Sequence, residues 1–533
     1  MSQPTDLFDP AARWAAPDPE PIVGDDLRGL LRQAFAIEED GAAASPAAVV
    51  LKVALSRLTP AIAEALQAVV GTDHVLFDDA ARAAHANGMS YLDLVRRTAA
   101  PPAAPDAVVL PAGHDEVAAV LRAASEHAVA VVPFGGGTSV VGGVAPERGT
   151  FGAVIALDLR RLDQLVALDD VSWTATLQAG LTGPRAEELL AERGFTLGHV
   201  PQSFERATIG GYAATRSAGQ LSTGWGRFDA LVERVVVATP SGDLDLGRAP
   251  GSAAGPDLRQ LVLGSEGAFG VVTSVTVRVR PVPEVRRHEG WRVADLATGV
   301  EVLRTLAQRG PKPDLARLSD EVETAMGVAT GGGGTDEAGG CLVLVGWEGF
   351  AADVEARAAG AADVLRAAGA TPLGEQAAES WRHGRFRAPR LRDELLGAGL
   401  VIETLETATT WRELVALHDR VGDVLREALD GATPLVACHV SHLYGAGASL
   451  YFTVLARRDG DDPVGQWTAA KAAVMDALTA AGATLTHHHA VGADHAPWLA
   501  AEDGDLGVEV LRAVKRRLDP AGILNPGKLL PPE

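Results

Sequence analysis

From residue 107 onward the apolar positions fall into short continuous runs and helical stripes. AVVL at 107–110 predicts a strand, and residues 115–127 predict a helix with Val117, Val120, Leu121 and Ala124 on one face. AVAVVPF at 128–134 then predicts a buried strand that ends directly in a triple glycine. A strand–helix–strand unit running into glycines is where phosphate loops commonly sit. Further strands are predicted at 154–159, 174–178 and 235–238, and VTVRVRP at 275–281 alternates as a half-buried strand should. After Pro283 the pattern changes. Helices near 295–308, 351–368, 411–428 and 464–481 alternate with strands at 341–346, 400–405, 435–441 and 449–455. That pattern predicts an α+β second lobe compatible with two similar halves.

Two segments stand apart. Residues 1 to 65 are rich in Ala, Pro and Asp, with helical spacing only around 27–35, and predict an N-terminal helical arm. TGGGGTDEAGG at 330–340 follows no strand–helix–strand unit and predicts a flexible surface loop.

The chemistry-bearing pattern is a set of three glycine-rich loops. PFGGGTSVVGGV at 133–144, GHVPQSFERATIGGYAATRSAG at 198–219 and GSEGAFGVVTSV at 264–275 each set glycines and small polar residues between sheet-like segments. Glycine lets backbone N–H groups approach a phosphorylated ligand closely, so the three loops predict one extended dinucleotide site.

Composition narrows the class. The 533 residues exceed what one core usually fills, which predicts two lobes. The 47 Lys and Arg against 69 Asp and Glu give a net charge of −22, which argues against a broad nucleic-acid surface. Two cysteines, Cys341 and Cys438, are too few for a disulfide framework and predict core thiols in a reducing compartment. The first residues carry no basic region leading into an apolar run, and the expectation is a cytoplasmic protein. A homodimer is expected on general grounds.

These residues resemble the flavoproteins of the vanillyl-alcohol oxidase (PCMH) type over 80–533, including the closing phrase LDPAGILNPGKLLP at 518–531. The resemblance implies an α+β protein of two lobes: an FAD-binding domain at 66–284, an α/β cap with ferredoxin-like halves at 285–483, and a segment at 484–533 that returns to the FAD and the active site. It implies FAD held noncovalently, because covalent relatives carry a histidine in the first loop where this chain reads GGGTS. Pyrophosphate contacts are implied for Pro133, Phe134, Gly135, Gly136, Gly137, Thr138 and Ser139. Contacts to the isoalloxazine and ribityl are implied for Gln202, Thr208, Thr215, Arg216, Ser217 and Gly219, and the adenine end is placed near Glu266, Gly267, Gly270, Val271 and Val272.

Within that type the chain is similar to the alkyldihydroxyacetonephosphate synthases at five features. They are His199 in GHVPQS, Arg317 in LARLSD, Arg392 in LRDELLGAGLVIETLET, Tyr451 in GASLYF, and the triplet His487, His488 and His489. The likeness implies exchange of the acyl group of acyl-dihydroxyacetone phosphate for a fatty alcohol, with the flavin as electron sink and covalent handle. Tyr451 is then the general base, which needs a phenol lowered by nearby positive charge. Its strand alternates apolar Leu450, Phe452 and Val454 with Tyr451 and Thr453. His488 assists the departing carboxylate or entering alcohol, and His487, His489 and His199 complete the catalytic set. An extended chain points His487 and His489 one way and His488 the other. Arg392 would grip the phosphate, although RLRDELL by itself predicts a charged helix surface. Arg317, in a predicted strand, would hold the cap against the active site. The implied partners are a small-molecule or lipid substrate and peripheral membrane contact.

The competing expectation is FAD-dependent dehydrogenation of a D-2-hydroxy acid. Cousins that do this carry Glu-His-Gly at the triplet and a metal-binding histidine pair in the cap. The all-histidine triplet favours the first reading, and no metal is expected, since Asp494 and His495 supply only a weak complement.

Overall fold

The computed structural model describes residues 53–99, 103–329, 339–386 and 388–532, together with 29, 31 and 33–35. Most of the predicted N-terminal arm, and residues 330–338 of the predicted surface loop, lie outside the described residues.

The first lobe carries two main sheets. Strands β1 (Val75–Leu76), β2 (Ala107–Val109), β3 (Val129–Phe134) and β4 (Ala153–Asp158) form a sheet of order β1-β2-β4-β3, in which β4 lies parallel to both β2 and β3. Helix α1 (His114–Glu126) connects β2 to β3 and buries the predicted stripe Val117, Val120, Leu121 and Ala124 against the sheet. The second sheet comprises β5 (Leu165–Asp169), β6 (Thr174–Gln178), β7 (Val232–Thr239), β8 (Gly242–Leu246) and β9 (Val271–Arg278), all antiparallel in the order β5-β6-β9-β7-β8. The short helix α2 (Ile209–Thr215) packs on β9 and carries the second glycine loop. One apolar core spans both sheets.

The second lobe is a single seven-stranded antiparallel sheet. Its strands are β10 (Val285–Val293), β11 (Leu315–Ser319), β12 (Cys341–Gly349), β13 (Thr371–Gly374), β14 (Leu400–Thr410), β15 (Leu435–Ser441) and β16 (Gly447–Arg457), in the order β13-β10-β12-β11-β15-β16-β14. The first four strands thus run fourth, first, third, second, with α3 (Leu296–Arg309) and α4 (Ala351–Ala367) as crossovers, which is a ferredoxin-like unit. The last three repeat the scheme, β14–α5 (Leu414–Ala428)–β15–β16–α6 (Pro463–Ala480), and the halves join where β11 pairs with β15. The expected two similar halves are therefore present. Among the described residues the second half has no fourth strand beside β14, and the chain after α6 runs there instead: Thr484 N donates to Ala408 O, and its hydroxyl accepts from Ala408 N. This edge path delivers residues 487–489 to the site.

The closing segment then crosses to the first lobe. Ile523 and Asn525 pair with Val131, extending the first sheet, and the Asn525 side chain donates to the carbonyls of Gly143 and Glu266. At the lobe junction Arg280 lies over the Trp225 ring and donates to Glu348 at 3.1 Å. Both cysteines are buried free thiols. Among the described residues no helix is long and apolar enough to cross a membrane.

Candidate active site

A cavity of about 440 Å³ runs between the lobes. Its first-lobe wall is made by the three glycine loops: all of 133–139, then Gln202, Thr208, Thr215 and Ser217, then Glu266, Gly267, Gly270, Val271 and Val272. The loops interlock through glycine. A side chain on Gly136 would collide with the Arg206 carbonyl, and one on Gly267 would come within 2.7 Å of Pro133. Gly136→Ala is therefore expected to misplace the first loop and lower FAD content severalfold in the purified protein, read from flavin absorbance per chain, while the second-lobe fold persists. Gln220 also lines the cavity, and its side-chain oxygen is buried without a hydrogen-bond partner among the described residues. An unpaired buried acceptor beside a cradle of loop backbone and Thr, Ser and Gln side chains suits a flavin, whose ring carries an N–H and whose tail carries phosphates.

Three expected first-lobe contacts are corrected. Arg216 caps α2 in the left-handed conformation, and its guanidinium turns away to the carbonyls of Leu263 and Gln260 at 2.9 and 3.0 Å. Gly219 does not line the cavity; it is the place where the chain packs on His199, a side chain there coming within 2.7 Å of Val200 N. His199 is buried against Tyr212 and Phe228, with Nε2 3.1 Å from Ser217 Oγ, and burial pushes its imidazole down to about 3. It positions a cavity residue and does not reach the cavity itself. These three positions share a cause: the loop is two layers deep, and spacing alone does not say which layer a residue occupies.

The second-lobe wall brings together Arg317, Glu323, Arg392, Glu403, Thr404, His439, His442, Tyr451, His488 and His489. Tyr451 and Thr453 face the cavity while Leu450, Phe452 and Val454 are buried behind them, as the alternation predicts. Tyr451 pairs in register with His439 on one side and Glu406 on the other, and its ring stacks on His439 at 4.8 Å and His488 at 6.0 Å. The expected lowering of its phenol is corrected. Burial, together with the carboxylates of Glu403 and Glu406, pushes it up to about 12, and the Thr404 hydrogen bond and the Arg317 charge only partly oppose this.

Arg317, expected to hold the cap against the active site, lines the cavity and is anchored within the cap. It donates to Glu323 at 2.8 Å and to His439 Nε2 at 3.0 Å, both in the cap, because β11 sits centrally in the cap sheet. His439 Nδ1 lies 3.1 Å from the same Glu323 oxygen, so its N–H is on Nδ1. Burial would raise the Glu323 carboxyl, but the Arg317 charge and then His439 outweigh it and hold it at about 2. A carboxyl lowered on folding stabilises above its unfolded value, near 4.3, and that contribution is lost as pH falls through the folded one. It amounts to about 3 kcal/mol for this shift. Glu323→Gln is thus expected to lose less stability than the wild type between about pH 5 and pH 2, which denaturant midpoints at several pH values would register. Arg392 is buried rather than solvated: its helix, Ala388–Gly397, packs on β14, and the guanidinium donates to Met89 O and lies 3.5 Å from Asp393.

Glu406 organises the histidine triplet. Its carboxylate accepts from the backbone N–H of His487 at 2.6 Å, His488 at 3.2 Å and His489 at 2.9 Å, and from the Thr486 hydroxyl. Burial alone would raise this carboxyl, but the surrounding histidines and Thr486 hold it well below the ordinary carboxylate range. Burial also lowers all three imidazoles, His489 to about 3, so they are neutral at neutral pH and the four hydrogen-bond donors hold the charge there. Three N–H groups converging on one carboxylate bend the chain, which corrects the expected alternation: His488 and His489 face the cavity and His487 turns away. His487 Nε2 lies 2.6 Å from the Tyr444 hydroxyl, and its Nδ1 lies 3.0 Å from Nδ1 of His488. One nitrogen each from His442, His487 and His488 lie within 4.8 Å of one another, close enough to share a cation. In the structure hydrogen bonds engage these rings, with His442 Nδ1 on Ser222. The Asp494 carboxylate pairs with Lys471 at 2.8 Å, and His495 bonds the Ala490 carbonyl.

Sequence reasoning named the triplet but missed Glu406, Glu323, His439, His442 and Tyr444. A signal was present for Glu406 and Glu403, since acids at two positions of a strand otherwise as apolar as LVIETLET imply buried, partnered carboxylates.

Two sheets with interlocked glycine loops, facing a ferredoxin-like cap across one cavity, define an FAD-linked oxidoreductase of the vanillyl-alcohol oxidase type. The family described as FAD binding domain matches residues 105–245, and that described as FAD linked oxidases, C-terminal domain, matches 282–529. The chain is 33% identical over 509 residues to an alkyldihydroxyacetonephosphate synthase of Trypanosoma brucei brucei, covering 90% of this chain and 82% of that one. It superposes on a solved alkyldihydroxyacetonephosphate synthase with a TM-score of 0.78 at 27% identity, covering 94% of this chain and 90% of the other. Similarity to a mitochondrial D-lactate dehydrogenase (cytochrome) of Arabidopsis thaliana is weaker, 28% over 454 residues, covering 80% of this chain and 74% of that one. The chain belongs to the alkyldihydroxyacetonephosphate synthase family of FAD enzymes.

Proposed function

We propose that the chain exchanges the acyl group of acyl-dihydroxyacetone phosphate for a fatty alcohol, giving the ether without net oxidation. The observation that carries this reading is the composition of one cavity wall. Arg317, Arg392, Tyr451, His488 and His489 stand beside Leu391, Leu395, Ile402 and Leu455, so cations, acid–base groups and apolar surface face the same space as the glycine loops. A phosphorylated head with a long alkyl tail needs all three.

Loops 133–139, Thr208, Thr215, Ser217 and Gln220 would hold the FAD, which when bound supplies an electron-accepting ring beside the carbon that changes its oxygen substituent. Arg392 binds the phosphate, its guanidinium already fixed by the Met89 carbonyl. With its phenol raised to about 12, Tyr451 starts protonated. It donates to the departing acyl oxygen, takes the C1 proton, returns that proton to C1 once the alcohol has added, and recovers its own from the acid, which leaves as the carboxylate. His488, neutral and in the same wall, receives the proton of the entering alcohol. Arg317 and Glu323 hold His439, which stacks on Tyr451 and fixes the phenol's direction. Peripheral membrane contact belongs to this reading, because both long-chain reactants partition into lipid.

The test is anaerobic incubation of the purified holoenzyme, without electron acceptor, with acyl-dihydroxyacetone phosphate and a labelled fatty alcohol. The expected result is labelled ether by mass spectrometry. No ether, with flavin bleached by a D-2-hydroxy acid instead, would move the chain to dehydrogenase chemistry.

A further inference from the structure

We propose that His488, His487 and Tyr444 form a proton exit from the cavity to the cap surface. The proposal rests on the exchange reaction above, and the chemistry of that reaction demands an outlet. An ester and an alcohol enter; an ether and a carboxylate leave. The alcohol O–H bond breaks, and at neutral pH its proton remains in neither product, so each turnover must pass one proton to solvent.

The three groups stand in line from inside to outside. His488 forms part of the cavity wall, its Nδ1 is 3.0 Å from Nδ1 of His487, and His487 Nε2 is 2.6 Å from the Tyr444 hydroxyl. His487 is 5% exposed and Tyr444 is 36% exposed, so the line begins in a buried wall and ends at the surface. Two facing Nδ1 atoms at that distance require one N–H and one lone pair. A proton arriving at His488 Nε2 therefore releases the one on its Nδ1 to His487 Nδ1. His487 Nε2 then gives its proton to the Tyr444 oxygen, and the Tyr444 O–H proton leaves to water. Bonds made and broken are all to hydrogen, and no oxidant or reductant is consumed.

The surroundings fix this geometry, and Glu406 Oε2, 3.6 Å from His488 Nδ1, lies farther from that nitrogen than His487 Nδ1 does. The His487 N–H is held by Glu406 at 2.6 Å and its carbonyl by Arg227 at 2.9 Å, while Arg227 is itself paired with Asp229. The His487 ring stacks on His442 at 5.0 Å, and the Tyr444 backbone is anchored through Gly447 and Trp411. Both ring nitrogens of His487 are thereby left to the relay.

Tyr444→Phe keeps the ring and removes the relay oxygen. In the anaerobic ether assay with the holoenzyme, kcat is expected to fall at least about tenfold with KM and FAD content unchanged, and added imidazole, a diffusible proton carrier, is expected to restore most of it. His487→Gln should behave in the same way, and the wild type should not respond to imidazole. Tyr444→Phe with wild-type kcat, or a loss that imidazole leaves in place, would overturn the relay while the wild type still makes ether. So would a stoichiometric metal ion in the purified wild type that Tyr444→Phe retains and His487→Gln loses. Absence of ether from the wild type would overturn the reaction itself, and the relay with it.

Discussion

Tyr451→Phe is expected to lower ether formation by about 10²- to 10⁴-fold, the usual range for removing a positioned acid–base group, with FAD content and folding unchanged. The reason for expecting chemistry alone to suffer is geometric. The Tyr451 ring is held between His439 at 4.8 Å and His488 at 6.0 Å, and phenylalanine fills the same space. The neighbours on β16, Leu450 and Phe452, are core residues that the substitution does not disturb. What disappears is one hydroxyl facing the cavity. Because burial holds that phenol up to about 12, the wild-type rate should show no tyrosine ionisation near neutral pH. A turnover number within a factor of about three of wild type would exclude Tyr451 from the chemistry.

Glu406→Leu should produce the largest loss of stability among single substitutions in the site. It strands three backbone N–H groups and the Thr486 hydroxyl in a buried setting, and leaving such donors unpaired costs roughly 1–3 kcal/mol each. Relaxation of the 484–489 path will recover part of that, and a loss on the order of 4 kcal/mol, read from denaturant midpoints, is expected. Glu406→Gln retains the shape and one acceptor oxygen. It should fold and bind FAD, yet lose activity about 10- to 100-fold as the triplet shifts from its place. An unchanged melting temperature in Glu406→Leu would show that the carboxylate does not hold the triplet.

Much of this was legible in the chain because its signals are local. The strand–helix–strand unit into Gly135–Gly137, the α1 stripe and the β16 alternation all lie within windows of a few residues, and each has its expected counterpart in the structure. That the cap has two similar halves was readable from element order, and their ferredoxin-like form was implied by the family resemblance. What stayed hidden depends on pairings across long separations. Glu406 meets residues 487–489 only because the chain after α6 fills the empty edge beside β14. His199 and Arg216 sit in the right loop, but the side of the loop each faces is decided by packing against Tyr212, Phe228 and the 260–263 carbonyls. The direction of the Tyr451 shift was not legible because two buried carboxylates on the neighbouring strand, Glu403 and Glu406, add to burial and outweigh Arg317.

The central claim is exchange of the oxygen substituent at C1, and the fate of the alcohol oxygen tests it most directly. With ¹⁸O-labelled fatty alcohol and unlabelled acyl-dihydroxyacetone phosphate under anaerobic conditions, the account predicts an ether that keeps the ¹⁸O, a released fatty acid that is unlabelled, and flavin that ends oxidised. An ether without the label, or a labelled fatty ester as the only product, would mean that the bond to C1 is not the one exchanged and would contradict the account.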